Sequence, residues 1–176
     1  MRKSVVFSLA LVMLLLGAAG AAHAAKIGVF NSRALAAQCE PFLQAQKNLE
    51  AQFANEKAAL ERTGKDLETQ AQNLQSQQTV QTPEAWEDAR VAFNRQKRDF
   101  EDRYQAYMRK SEAALMRLQQ DFMNALFKAA QDYGSKNGYD ILLDSSMGGP
   151  IYYTKETDVT EPMLAEVNRT YKEGAK

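Results

Sequence analysis

Phe53–Leu74, FANEKAALERTGKDLETQAQNL, and Trp86–Tyr107, WEDARVAFNRQKRDFEDRYQAY, carry the repeat that decides the fold. In the first stretch Phe53, Leu60, Leu67 and Leu74 recur every seven residues; in the second Trp86, Phe93, Phe100 and Tyr107 do the same. Taken from the middle outward, Leu74 pairs with Trp86, Leu67 with Phe93, Leu60 with Phe100 and Phe53 with Tyr107. Each pair of numbers sums to 160. A seven-residue apolar period belongs to helices wound together, and the constant sum makes these two helices antiparallel partners that reverse near Val80. Between them, Gln75–Gln81 carries no continuing stripe, and Thr82-Pro83-Glu84 is a helix start. Thr82 can cap, Pro83 suits the first helical position, and Glu84 meets the positive helix end. The alternative is one long helix kinked at Pro83, which leaves eight large apolar residues without partners.

The hairpin is thin. Glu56, Thr63 and Gln70 lie between the rungs, facing Tyr104, Lys97 and Arg90, so one apolar layer survives per heptad. At 1.5 Å of rise per residue the rungs stand roughly 10 Å apart. Such an arm projects into solvent rather than lying inside a globule. Towards its base the pattern thickens. Phe42, Leu43 and Leu49 meet Leu115, Met116, Leu118, Phe122, Met123, Leu126, Phe127 and Tyr133, which are apolar on more than one face. That surplus must bury against something beyond the hairpin partner.

Residues 1–24 read as a secretory signal. Arg2 and Lys3 are the charged start, Val5–Leu16 is a short apolar run, and Ala22-His23-Ala24 is a small-x-small cleavage site between Ala24 and Ala25. The run is shorter than the ~20 residues of a membrane span. Cleavage removes the only histidine, His23, and with Arg2 and Lys3 two of the 22 basic residues, leaving 20 against 22 acidic ones. The expected destination is the periplasm. Cys39 is the only cysteine, so no intrachain disulfide can form; it reads as a buried structural thiol rather than a redox group.

The ends of the chain flank the hairpin. Lys26–Phe30 is a short strand with Ile27, Val29 and Phe30 expected inside, followed by an Asn31-Ser32 cap and a short helix. After Asn137-Gly138, Tyr139–Asp144 reads as a second strand, Ser145–Pro150 as a turn and Ile151–Thr154 as a third strand. Asp158 and Glu161 have capping-box spacing, and Met163, Leu164, Val167 and Tyr171 mark a last amphipathic helix. The expected architecture is α+β, mainly α: a long helical hairpin rooted in a small β body shared between subunits. The arm is residues 41–110, turning near 75–83; the body is residues 25–40 and 111–176. So small a body buries a poor core alone, and oligomerisation is the expected remedy.

Little here has the form of an active site. Asp140 and Asp144 bracket a strand, Gly148-Gly149 lacks the lysine of a phosphate loop, and Ser145-Ser146 has no histidine to activate it. No enzyme activity, metal or cofactor is expected. Regional charge says more. Arg90–Lys110 carries seven basic residues against three acidic ones, whereas Glu40–Thr82 carries four against six. One side of the arm is basic, which can steer a partner or simply be a solvated helix face. Export and a neutral overall balance disfavour nucleic acid.

The order of elements, with Lys26-Ile27-Gly28-Val29-Phe30-Asn31 at the start, Gly138–Asp144 after the hairpin and the ending Asp158–Val167, resembles the Skp (OmpH-like) family of periplasmic chaperones across essentially the whole mature chain. The resemblance implies a homotrimer with a shared β body. Its hairpins hang around a cavity in which unfolded outer-membrane proteins are held without ATP. The best-known members are strongly basic. This chain is neutral, which weighs against lipopolysaccharide or a membrane surface as a further partner and gives shape and apolar contact more of the binding. The expected seam is Phe53, Leu60, Leu67, Leu74, Trp86, Phe93, Phe100 and Tyr107. The candidate client-contact series is Arg90, Arg95, Lys97, Arg98 and Arg103. Leu115, Leu118, Phe122, Leu126, Ile141 and Leu143 are the expected oligomer core. The alternative function is a structural coiled-coil adaptor for one folded partner, which calls for a contiguous apolar tip; Ser76–Thr82 offers only Val80.

Overall fold

The computed structural model describes residues 24–174. Of the expected signal only Ala24 falls within that range; residues 1–23 lie outside the described residues. The elements in order are β1 (Ile27–Phe30), α1 (Ser32–Gln38), α2 (Glu40–Gln77), α3 (Pro83–Asn137), β2 (Ile141–Asp144), a 3-10 turn (Lys155–Thr157) and α4 (Thr160–Gly174).

Local chemistry explains the boundaries. Asn31 caps α1 by accepting the Ala34 N–H at 3.0 Å. Thr82 caps α3 by accepting the Ala85 N–H at 3.3 Å, with Pro83 in the first turn, where its missing N–H removes no helical bond. Gly138, at φ 66°, closes α3 in the left-handed conformation and points the chain into β2. Asp158 accepts the Thr160 N–H at 2.9 Å at the start of α4. The capping-box spacing anticipated a bond to the Glu161 N–H instead; the carboxylate reaches a nearer donor.

Helix lengths follow from the hairpin arithmetic. α2 has 38 residues and α3 has 55. The sum of 160 sets Gln77 against Pro83 and Glu40 against Gln120, so the first 38 residues of α3 have partners in α2. The remaining 17, residues 121–137, run past the start of α2, although Phe122 still reaches back to Phe42. α4, 15 residues long, covers them. Phe122, Ala125, Leu126 and Ala129 of α3 are buried against Met163, Val167 and Tyr171 of α4 in one apolar core with Leu35, Cys39 and Phe42. Phe42 lies 4.6 Å from Phe122 and 5.8 Å from Tyr171 between ring centroids, which locks α2, α3 and α4 together at one point. The Thr170 hydroxyl donates to the Ala125 carbonyl at 3.0 Å across the same junction. Phe122 and Leu126, placed in the expected oligomer core, are buried within one copy. The chain's own last helix buries them, answering much of the apolar surplus within one copy. Cys39 is fully enclosed, and burial pushes its thiol above the ordinary range.

The sheet has two strands, β1 and β2, parallel and in register from Ile27 opposite Ile141 to Phe30 opposite Asp144. Parallel strands need a long crossover, and here the crossover is the whole hairpin. Gly28 sits where a Cβ would come within 2.7 Å of Leu142 Cδ2 and 3.0 Å of the Tyr139 ring. The other edge of β1 is occupied by Val159, whose N–H donates to the Val29 carbonyl at 2.8 Å. Ile151–Thr154, expected as a third strand, is irregular. Ile151 and Tyr152 are 107% and 81% exposed. Strand propensity measures fit to a covered pleated surface, and within one copy no layer covers this segment. Ile27, expected inside, is 44% exposed, whereas Gly28, Val29 and Phe30 are buried.

Ion pairs clamp α4 to α3. Across the two helices Arg169 bonds Asp132 at 2.8 Å, Lys136 reaches Glu166 at 2.7 Å and Lys128 reaches Glu173 at 3.3 Å, while within α4 Arg169 also bonds Glu166 and Glu173, each at 2.6 Å. Hydrogen bonds from Arg169 and then Lys136 hold the Glu166 carboxyl down at about 2, against an ordinary 4.5. A carboxyl lowered in the folded state contributes fully above its unfolded value and is lost as pH falls through the folded one. Acid unfolding should therefore steepen between pH 4.5 and about 2. Glu166→Gln should flatten that decline and cost about 1 kcal/mol or less at pH 7; thermal melts across the pH range measure both. Gly28→Ala should destabilise by about 1–3 kcal/mol, read by denaturant unfolding, with loss concentrated in the base.

Candidate functional site

The arm is built from the seam outward. Leu60 and Leu67 are buried at 4% and 8% exposure, while Phe53, Leu74, Trp86, Phe93, Phe100 and Tyr107 are half-buried. At the distal end the Trp86 indole N–H donates to the Leu74 carbonyl at 3.2 Å. At the near end Phe53 meets Tyr107 edge-on at 5.9 Å. These contacts place Leu74 beside Trp86 and Phe53 beside Tyr107, as the 160 sum requires. Between rungs the helices have little to hold them. The Thr63 hydroxyl turns back to the Ala59 carbonyl at 3.0 Å, and Gln70 is exposed.

The basic series is not uniform. Arg90 donates to both carboxylate oxygens of Glu87, from Nε at 2.9 Å and Nη2 at 2.5 Å, and sits 5.7 Å from the Trp86 ring centroid. That hydrogen bonding holds the Glu87 carboxyl below its ordinary range. Lys97 lies 3.7 Å from Glu101. Among the described residues no carboxylate comes within 4.0 Å of Arg95, Arg98 or Arg103. Within the series these three are the cations without an ion pair.

Apolar exposure is the second feature. Tyr104 and Met108 are each 43% exposed, and Leu115, Met116 and Phe127 continue the exposure along α3 towards the base. Beside the Leu60 rung, α2 and α3 part around a groove with about 520 Å³ of open space, lined by Leu60, Gly64, Phe100, Tyr104, Tyr107 and Met108. Sequence reasoning assigned Phe100 and Tyr107 to the seam and set Tyr104 between rungs, but missed the groove. Its signal was Gly64, a residue without a side chain at a helix-interior position beside a rung.

At the base, Leu115, Ile141 and Leu143 of the expected oligomer core are exposed, Leu118 is half-buried against the protomer core, and Phe122 and Leu126 are internal. Met147, Ile151 and Tyr152 add exposed apolar surface after β2. The carboxylates that bracket β2 have structural work. Asp140 accepts the Lys26 N–H at 2.7 Å. Asp144 accepts from the Ser32 N–H at 3.2 Å and the Ser146 N–H at 2.9 Å. Partial burial pushes the Asp144 carboxyl up, but its serine hydrogen bonds outweigh that and leave it below the ordinary range. Among the described residues no helix is long and apolar enough to cross a membrane.

The family model described as "Outer membrane protein (OmpH-like)" matches residues 26–167. A crystal structure from Caulobacter crescentus, described as a candidate outer membrane chaperone (OmpH-like), is similar in fold, with a TM-score of 0.61 at 16% identity. The match covers 83% of this chain and 85% of that one. No curated protein matches the chain.

The thin seam makes a distinct prediction. Phe93→Ala should cost about 3 kcal/mol or less, because an arm with solvent on both sides can close around the lost ring. Amide exchange should quicken around residues 64–96 and remain unchanged for Phe122, Leu126 and Val167.

Proposed function

We propose that this chain, which belongs to the OmpH-like family of chaperones, is a periplasmic holdase. It takes unfolded outer-membrane proteins into a space between helical arms, without ATP, keeps them from aggregating and aids their delivery to the outer membrane. The observation that carries this reading is the arm itself. It is about 57 Å long by the rise of α2, held by one apolar rung per heptad, with Tyr104 and Met108 open to solvent. A surface of this kind makes many weak contacts, which suits clients of varied sequence. An adaptor for one folded partner needs a concentrated apolar anchor; at the tip only Val80 is apolar and exposed, at 82%.

The working form in this reading is a homotrimer. Ile141, Leu143, Met147, Ile151 and Tyr152 form exposed apolar surface around β2, and an exposed apolar cluster of this kind marks an interaction surface. Leu115 on α3 joins the same expectation. Covering Ile151–Thr154 with a neighbouring copy would supply the layer that the segment lacks within one protomer. The expected signal, cleaved between Ala24 and Ala25, delivers the chain to the compartment where such clients travel.

Two candidate forces hold the client, and their ranges separate them. Surface charge is screened over ~8 Å at physiological salt, and only Arg95, Arg98 and Arg103 are free of ion pairs among the described residues of the basic series. Charge therefore governs encounter, and enclosure against apolar surface governs retention. Converting those three arginines to glutamate should slow association several-fold and weaken its salt dependence, with dissociation nearly unchanged. Stopped-flow binding of an unfolded outer-membrane barrel protein, with complex mass from light scattering, measures this. Loss of the complex at physiological salt from the charge reversals alone would instead make the arm an electrostatic clamp.

A further inference from the structure

We propose that the groove at Gly64 is a specific subsite that takes an aromatic side chain from an extended segment of the unfolded client, and this rests on the holdase reading above. The missing side chain creates the space. A Cβ at Gly64 would stand 3.5 Å from Phe100 Cζ, so glycine leaves the floor of the groove open beside a rung that is otherwise closed by Leu60. The open space, about 520 Å³, falls in the size range of clefts that enclose small ligands.

The walls favour an aromatic occupant. Phe100 and Tyr104 stack at 6.0 Å with 30° between their planes, which extends one aromatic surface from the seam out to solvent. Met108 stands at the same opening and offers a polarizable sulfur to a ring edge. Tyr104 and Met108 are both 43% exposed, so the wall is accessible without unfolding the arm.

The rim selects the backbone that carries the ring. Lys57, Glu61 and Lys65 alternate in sign at four-residue steps along α2, and Glu68 completes a balanced set. Among the described residues none of the four makes an ion pair. A rim of zero net charge attracts neither a polyanion nor a polycation. Its alternation instead offers donors and acceptors about 6 Å apart, close to the ~6.6–6.8 Å period at which an extended chain presents its edge N–H and C=O groups. Membrane-barrel strands carry apolar residues at alternate positions with aromatic residues at the ends of the apolar band. Such a strand, unpaired, brings a ring to the groove and unsatisfied backbone groups to the rim.

The test uses the full mature chain and a labelled peptide of about twelve residues that alternates threonine with apolar residues around one central tryptophan. Fluorescence anisotropy should show binding, weakened about tenfold or more when the peptide's tryptophan is replaced by alanine. Gly64→Leu, which fills the groove with a better helix former, should weaken binding about tenfold, whereas Gly64→Ala should leave it within about twofold. Tyr104→Ala, which removes a wall without filling anything, should also weaken it, with helicity checked by circular dichroism. The proposal is overturned if the wild type does not bind the peptide, if the alanine peptide binds equally, or if Gly64→Leu and Tyr104→Ala bind as the wild type does. Concentration-dependent self-association lost in Gly64→Leu, without any peptide effect, would assign the groove to a second copy and overturn it too. Suppression of aggregation of an unfolded barrel protein is measured alongside. Its absence in the wild type counts against the holdase reading, whereas its presence with no groove effect counts against the subsite alone.

Discussion

The pairing of β1 with β2 is the constraint on which the rest depends. It joins residues on either side of the hairpin, Ile27 to Ile141 and Phe30 to Asp144, in parallel. A parallel connection cannot be a tight turn, so the chain must leave the sheet and come back; two long antiparallel helices do that. The contact is close, with Gly28 under Leu142 and Tyr139, and is fixed at its edges by Lys26 with Asp140 and by Asp144 with Ser32 and Ser146. Once both ends of the hairpin are held, α4 docks on residues 121–137 of α3, and the Phe42–Phe122–Tyr171 cluster fixes all three helices. The apolar core of the protomer thus lies in the base and not in the arm.

That division of labour explains the composition of the arm. An element that stabilised the fold would place two apolar residues in each heptad. Here every second layer is given to Glu56, Thr63 and Gln70, and apolar residues appear instead where they meet solvent, at Tyr104 and Met108. The arm keeps enough seam to remain helical and places the rest of its apolar surface outside. Local openings of small free energy are the consequence of few buried contacts, and on the holdase reading they would let the arm adjust to clients of different size.

Much of this was legible in the sequence. The seven-residue period and the sum of 160 gave the hairpin, its register and its turn, because helical spacing is a property of the chain alone. Asn31, Thr82 and Gly138 marked helix ends through chemistry confined to a few residues. Three features were not legible. The internal burial of Phe122 and Leu126 depends on α4, an element more than 20 residues away in sequence; periodicity showed an unmet apolar face but not its partner. The irregular course of Ile151–Thr154 depends on there being no covering layer within one copy, which strand propensity does not report. The Gly64 groove is a consequence of one missing side chain one turn from the Leu60–Phe100 rung and beside the Phe100 ring, visible only when both helices are placed.

The central claim is that clients are held by the arm while the base stays as it is. Hydrogen–deuterium exchange of the free protein and of its complex with an unfolded outer-membrane barrel protein tests this most directly. The account predicts slowed exchange over residues 57–108, where the seam is thin and the apolar surface lies open, with the amides of Phe122, Leu126 and Val167 unchanged. Protection confined to the base, or to the tip around Val80, with the arm exchanging as in the free protein, would contradict it.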